Sequence, residues 1–196
     1  MVGARGMAVC PALIGAWLLV TPTSAWAQGQ VEQPFAAGGQ VRLDLASANY
    51  VIQAGRDDRI LVRWETPRAE DAARVRATIE PRGSEATVTV KGPDEDFNVV
   101  IEVPVETSVI VKLSAGALRI RQLRGNKEIE AWAGSIDIEI DRREDYRSIQ
   151  VSVRAGGIVA TAFDQSKGGL FRSFSWSGPG KHMLEVRLTA GNVRLR

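Results

Sequence analysis

The sequence predicts an all-β protein: a β-solenoid or β-helix-like stack of short bent strands, with an N-terminal β-hairpin and little or no helix. Three observations lead there. From residue 40 onward, apolar and polar residues alternate almost continuously, the period of a strand with one buried face. One template, apolar-x-apolar-x-Ala-Gly-x-apolar-x-apolar, recurs in VKLSAGALRI (111–120), IEAWAGSIDIEI (129–140), VSVRAGGIVATA (151–162) and VRLTAGNVRLR (186–196). The alternation also slips by one at every Ala-Gly pair, because Ala115 to Leu118, Ala133 to Ile136, Ala155 to Ile158 and Ala190 to Val193 are steps of three. A strand absorbs an extra residue only as a bulge or corner. Glycine suits a corner because it tolerates positive φ and a close backbone approach. Gly116, Gly134, Gly156 and Gly191 are therefore the expected structural corners, each joining two short strands that keep one apolar face.

The remaining segments follow in order. Residues 28–39, QGQVEQPFAAGG, show little periodicity and read as a flexible leader. VRLDLASANYVI (41–52) fits the outline of the template, with Leu45-Ala46 standing where Ala-Gly stands elsewhere. PRAEDAARVR (67–76) is Ala-rich after Pro67 and reads as a short helix or a surface loop. VRATIE (75–80) and ATVTVKG (86–92), separated by PRGSE, form a hairpin, and NVVIEVPVETSVIVKL (98–113) feeds the first full repeat. SKGGLFRSFSWSGPGK (166–181) is an insertion between the third and fourth Ala-Gly units. The final VRLR places two arginines on what reads as a protected edge strand. Residues 40–196 thus constitute one domain.

Composition narrows the function classes. The chain has 196 residues, 25 Lys plus Arg against 23 Asp plus Glu, one Cys and one His. A net charge of +2 offers no footprint for nucleic acid, which needs clustered, uncompensated cations. One Cys and one His rule out a disulfide framework and a Cys/His zinc site. Residues 1–27 hold a single charge, Arg5, then an apolar run from Met7 to Val20 and the small-x-small signal Ala25-Trp26-Ala27. That is the layout of a secretory signal peptide, cleaved before Gln28. Pro11 interrupts the run, which falls short of the ~20 residues of a membrane span. The expectation is an exported, periplasmic or extracellular protein with no integral membrane segment after cleavage.

Candidate chemistry is sparse. His182 lacks a recognisable nucleophile and orienting partner, and reads as a polar residue at a strand start. SGPGKH fails as a phosphate loop, because Ser175 and His182 occupy its two anchor positions. Asp94, Glu95 and Asp96 read as a solvated turn, since adjacent carboxylates cannot converge on one calcium ion unaided. Asp137, Glu139 and Asp141 alternate with Ile136, Ile138 and Ile140 and so line a solvent-facing strand face. A glycan-cleaving β-helix would use such a carboxylate row, but Arg142 and Arg143 beside it fit simple charge balance. The insertion carries Phe171, Phe174 and Trp176, the candidate anchors for a sugar ring or a protein partner. Phe174 and Trp176 also suit a cap over the open end of the stack. No catalytic residue, metal or cofactor is expected.

The units IEVPVETSVIVKLSAGALRI (101–120) and GNKEIEAWAGSIDIEI (125–140), with EDYRSIQVSVRAGGI and SKGGLFRSFSWSGPGKH after them, resemble the bacterial putative-adhesin family of unknown function. The resemblance covers residues 40–196 and implies an exported or membrane-tethered envelope protein built on repeated short strands. It supplies no catalytic residues. The expected function is a non-enzymatic cell-envelope module that binds or scaffolds, its partner an envelope protein or a glycan. The alternative is a carbohydrate-active enzyme using paired carboxylates.

Overall fold

In the computed structural model, which describes residues 27–93 and 97–196, each phase slip falls at a glycine of positive φ. At Gly134, Gly156 and Gly191 one strand runs unbroken through the slip, where the sequence suggested two short strands, and only before Gly116 does the strand break. Strands account for 69% of the described residues and helices for 6%, so the protein is all-β. The segment read as a signal peptide, except Ala27, and the acidic turn 94–96 lie outside the described residues.

In chain order the strands are β1 (Ala27–Pro34), β2 (Gln40–Leu45), β3 (Ala48–Ala54) and β4 (Arg59–Thr66). The one-turn helix α1 (Ala69–Ala72) precedes β5 (Arg76–Arg82) and β6 (Glu85–Lys91). Then come β7 (Asn98–Val103), β8 (Ser108–Leu113) and β9 (Gly116–Arg121), followed by the long strands β10 (Lys127–Ile138), β11 (Tyr146–Ala160), β12 (Gln165–Ser177) and β13 (His182–Leu195). All thirteen belong to one sheet.

That sheet folds over itself along a line of corners. Four chain segments cross the line as parallel, in-register neighbours: β8–β9, β10, β13 and β11. β2–β3 continues the row on the β8–β9 side. On one side of the line run β6, β2, β8 and the first half of β10; on the other run β7, β3, β9 and its second half. The two layers enclose a core of Val111, Leu113, Ile129, Ile136, Val186 and Val193, among others. β1 lies against β5 at the far side, leaving the sheet nearly closed and barrel-like.

The corner glycines are stacked. Gly116, Gly134, Gly191 and Gly156 have φ of 114°, 130°, 134° and 140°. A Cβ on Gly134 would sit 1.8 Å from the Gly116 carbonyl oxygen, and one on Gly191 1.8 Å from that of Gly134. Each corner therefore seats its backbone against the one before it, at a distance only glycine permits.

Several expectations need correction. A solenoid's coils follow one another in the chain, but here β13 lies between β10 and β11, and β12 runs antiparallel on the outer side of β11. β13 is thus internal, and its terminal arginines guard no edge. In the first unit, Ala48 stands level with Gly116, not Ala46. The strand is interrupted at Ala46-Ser47, so no glycine is required there. The leader also differs: β1 pairs antiparallel with β4 along its whole length. Its weak side-chain pattern hid this, because an edge strand is held largely by its backbone ladder. Gly29 makes room for the Trp64 indole, which lies 2.3 Å from where a Cβ would be. The 67–76 segment is helical only over α1, whereas β5 and β6 form the antiparallel hairpin.

Candidate functional site

The repeats themselves build the most distinctive surface. In each template the residue before Ala-Gly faces outward, opposite the buried alternate positions. In-register pairing brings these residues into one row across the strands: Ser114, Trp132, Thr189 and Arg154, followed by Phe171 on β12. They line a cleft of about 910 Å³ on the outer face near the corners. Trp132 is 69% exposed and Phe171 77%, although burial is the usual fate of such rings. By inter-strand spacing the two stand about 14 Å apart, with Arg154 between them.

A second row alternates in charge: Asp44, Lys112, Glu130 and Arg187, then the hydroxyls Ser152 and Ser173. Lys112 is flanked in register by Asp44 and Glu130. Arg187 is ion-paired with Glu185. Among the described residues, Lys91, Lys112, Arg154 and Arg172 of the cleft have no ion-pair partner, and of these Lys112 alone stands in register between two carboxylates, so the positive excess lies toward β11 and β12 and beside β6. Phe171 also has an unusual backbone, φ 51°, in the left-handed region that disfavours bulky side chains. Gly169 beside it, at φ 115°, leaves room for the Arg172 guanidinium.

The three aromatic residues singled out in the sequence separate. They lie on a paired strand, β12, where the sequence suggested a surface insertion. Phe174 is buried, and Trp176 packs against the core. Phe163 joins both, its ring centroid 5.2 Å from Phe174 and 5.4 Å from Trp176. Phe171 alone turns outward into the cleft. Trp132 was not among the sequence candidates. Its signal is present in AWAG, where a tryptophan occupies an outward template position that elsewhere holds Ser, Thr or Arg.

The acidic strand face also differs from expectation. Asp137 is largely buried rather than solvent-facing, because the C-terminal arginines fold over it. Arg196 Nε donates to its Oδ1 at 2.8 Å, and an Arg196 guanidinium nitrogen lies 2.7 Å from Oδ2. Its register neighbours are Arg119 and Arg194, both cations. Glu139 and Asp141 are exposed beyond the end of β10. His182 has its ring centroid 6.3 Å from that of Tyr146 in an edge-on arrangement. Partial burial, with the Lys181 and Lys127 cations nearby, pushes its imidazole below the ordinary value. Among the described residues, no group of three His, Cys, Asp or Glu side chains is placed to hold a metal, and no helix is long and apolar enough to cross a membrane.

No protein-family model matches the chain, and no curated protein matches it in sequence. A solved structure does share its fold. A putative cell adhesion protein from Clostridium sporogenes is 11% identical, with a TM-score of 0.53 over 86% of this chain and 99% of that one. A putative adhesin from Bacteroides fragilis is 8% identical, covering 88% of this chain and 99% of that one, with a TM-score of 0.26, too low to carry an argument. At such identities the likeness to the Clostridium protein shows the fold alone.

Proposed function

We propose that this chain is an exported, non-enzymatic module of the cell envelope, adhesin-like, that binds through the Trp132–Phe171 cleft. The observation that carries the reading is the pair of exposed aromatic rings on one row of a hydrogen-bonded sheet face. Exposed rings that the fold does not bury are typical anchors of a recognition surface. The signal-peptide layout of residues 1–27 supports export, and the fold shared with the putative cell adhesion protein of Clostridium sporogenes supports a role in attachment. Stacking of bent repeats in register, as in solenoids, suits such a role because it presents one template position as a continuous row.

The test has two readouts on the same purified protein. Envelope fractions and polysaccharides are assayed for retention of the protein and for release of reducing ends. Retention that falls in Trp132→Ala and Phe171→Ala, with no release of reducing ends, is the expected result. Turnover lost in Glu139→Gln or Asp141→Asn would overturn it in favour of the carbohydrate-active enzyme.

A further inference from the structure

We infer that the cleft takes an anionic oligosaccharide: sugar rings lie on Trp132 and Phe171, and an acidic substituent on the chain between them meets Arg154. The inference rests on the binding-cleft reading above and adds the chemical class of the ligand.

Four features of the cleft converge on this class. The aromatic rings are largely exposed, as stacking on a sugar ring requires, and their strands stand about 14 Å apart, more than one sugar ring spans. The floor between them is small and hydroxylic, with Thr189 in their row and Ser152 and Ser173 in the next, which matches the hydroxyl groups of a sugar. The charge is localised. Arg154 lies in line between the rings, and it and Arg172 have neither an ion-pair partner nor an acidic register neighbour among the described residues, whereas Lys112, also without an ion pair, stands in register between Asp44 and Glu130. A guanidinium in this position matches a carboxylate or sulfate through paired N–H donors.

The fourth feature separates a glycan from an acidic peptide. The cleft lies on a sheet face, where the backbone N–H and C=O groups of β8, β10, β13 and β11 are committed to ladders on both sides. An extended peptide gains most of its affinity by pairing its backbone with a free edge. Across β8 to β11 none is offered, and at the open edge of β12 beside the cleft the Ser173 carbonyl is already taken by Lys167 Nζ, while side-chain hydroxyls, rings and a cation face the ligand. Phe171 reinforces the point. Its left-handed backbone turns a ring into solvent at an unfavourable φ, and strained residues of this kind collect at ligand sites.

The experiment is affinity electrophoresis and calorimetry on the protein purified from the cells that make it. The probes are a galacturonate oligomer, a sulfated oligosaccharide of the heparin type, a neutral glucan oligomer and polyglutamate. Binding to one or both anionic oligosaccharides, weakened by salt, is expected, with much weaker binding to the glucan and to polyglutamate. Trp132→Ala and Arg154→Gln should each lower that affinity by about tenfold, while Glu139→Gln leaves it unchanged. The two anionic probes distinguish a carboxylate from a sulfate ligand. Polyglutamate bound as tightly as the sugars would overturn the glycan assignment. Neutral glucan bound equally, with no effect of Arg154→Gln, would overturn the anionic one and leave the cleft a glycan site. Failure of every probe would overturn the inference alone, provided envelope retention still depends on Trp132; loss of that dependence would also overturn the binding-cleft reading.

Discussion

Lys127 is 2% exposed at the start of β10, and its ammonium is held by oxygen atoms rather than by a carboxylate. Nζ donates to the carbonyls of Leu123 and Gly125 at 2.8 and 3.1 Å and to the Tyr146 hydroxyl at 2.9 Å, and lies 5.2 Å from the Tyr146 ring centroid. Burial draws its pKa down from 10.5 to about 8, with Asp141 opposing. Below pH 8 both folded and unfolded chains carry the proton, and the desolvation cost is fully present. Between about 8 and 10.5 the unfolded chain binds more protons, so the stability contributed by this group rises with pH. Tyr50 and Tyr146 act in the opposite direction. Burial raises both phenols above their ordinary value of 10.0, so above that pH the unfolded chain loses the proton first and stability falls. The urea midpoint should therefore climb from pH 8 toward 10 in the native protein, and that climb should flatten in Lys127→Met whatever the variant's absolute stability. A native midpoint that does not move over this range refutes the account. Tyr50 carries a second prediction. Its buried hydroxyl has no hydrogen-bond partner among the described residues, so Tyr50→Phe should be neutral or stabilise by up to about 1 kcal/mol in denaturant titration.

The corner is the element on which the fold depends. Gly134→Ala would force a Cβ into the Gly116 carbonyl and impose φ 130° on an alanine. Equilibrium unfolding should show a loss of at least about 2 kcal/mol. Gly168→Ala on β12 is the matched control, because nothing lies within 4 Å of its added methyl, and its midpoint should shift by less than about 0.5 kcal/mol. Equal losses at the two positions would show that glycine content, not the stacked corner, matters. β12 leaves one side of its backbone open, and it carries its own protection against strand addition. Lys167 Nζ donates to the Ser173 carbonyl at 3.0 Å across that strand, and lysine is a common guard of exposed edges.

The order of strands makes the whole molecule depend on its last segment. β13 is hydrogen-bonded to β10 on one side and β11 on the other, so the β11–β12 ribbon reaches the rest of the sheet through residues 182–195. Pairings between strands so distant in sequence form late and slowly. A chain ending at Lys181 should keep a protease-resistant fragment up to about β10 and lose residues 146–177 to limited proteolysis, read by mass spectrometry. Protection of 146–177 in that truncation would mean that β11 and β12 hold to the sheet by another route.

What the sequence determined by itself is local. Alternation made the strands, the slip at each Ala-Gly pair made the corners, and VRATIE with ATVTVKG made the hairpin, because these depend on neighbours in the chain. The outward position of Trp132 was legible in the same pattern, one residue before Ala133-Gly134. The tertiary structure alone decided which units lie side by side. Only the insertion of β13 between β10 and β11 sets Thr189 in the row and adds a strand spacing between Trp132 and Arg154, since strand order is chosen by how whole apolar faces pack, not by any one segment. It likewise decided the fates of residues that look alike in sequence: Phe174 went to the core and Phe171 to solvent, separated by a backbone turn at φ 51°. Asp137 was drawn under Arg196 while Glu139 stayed exposed, because the far end of the chain returns to cover one carboxylate and not the other.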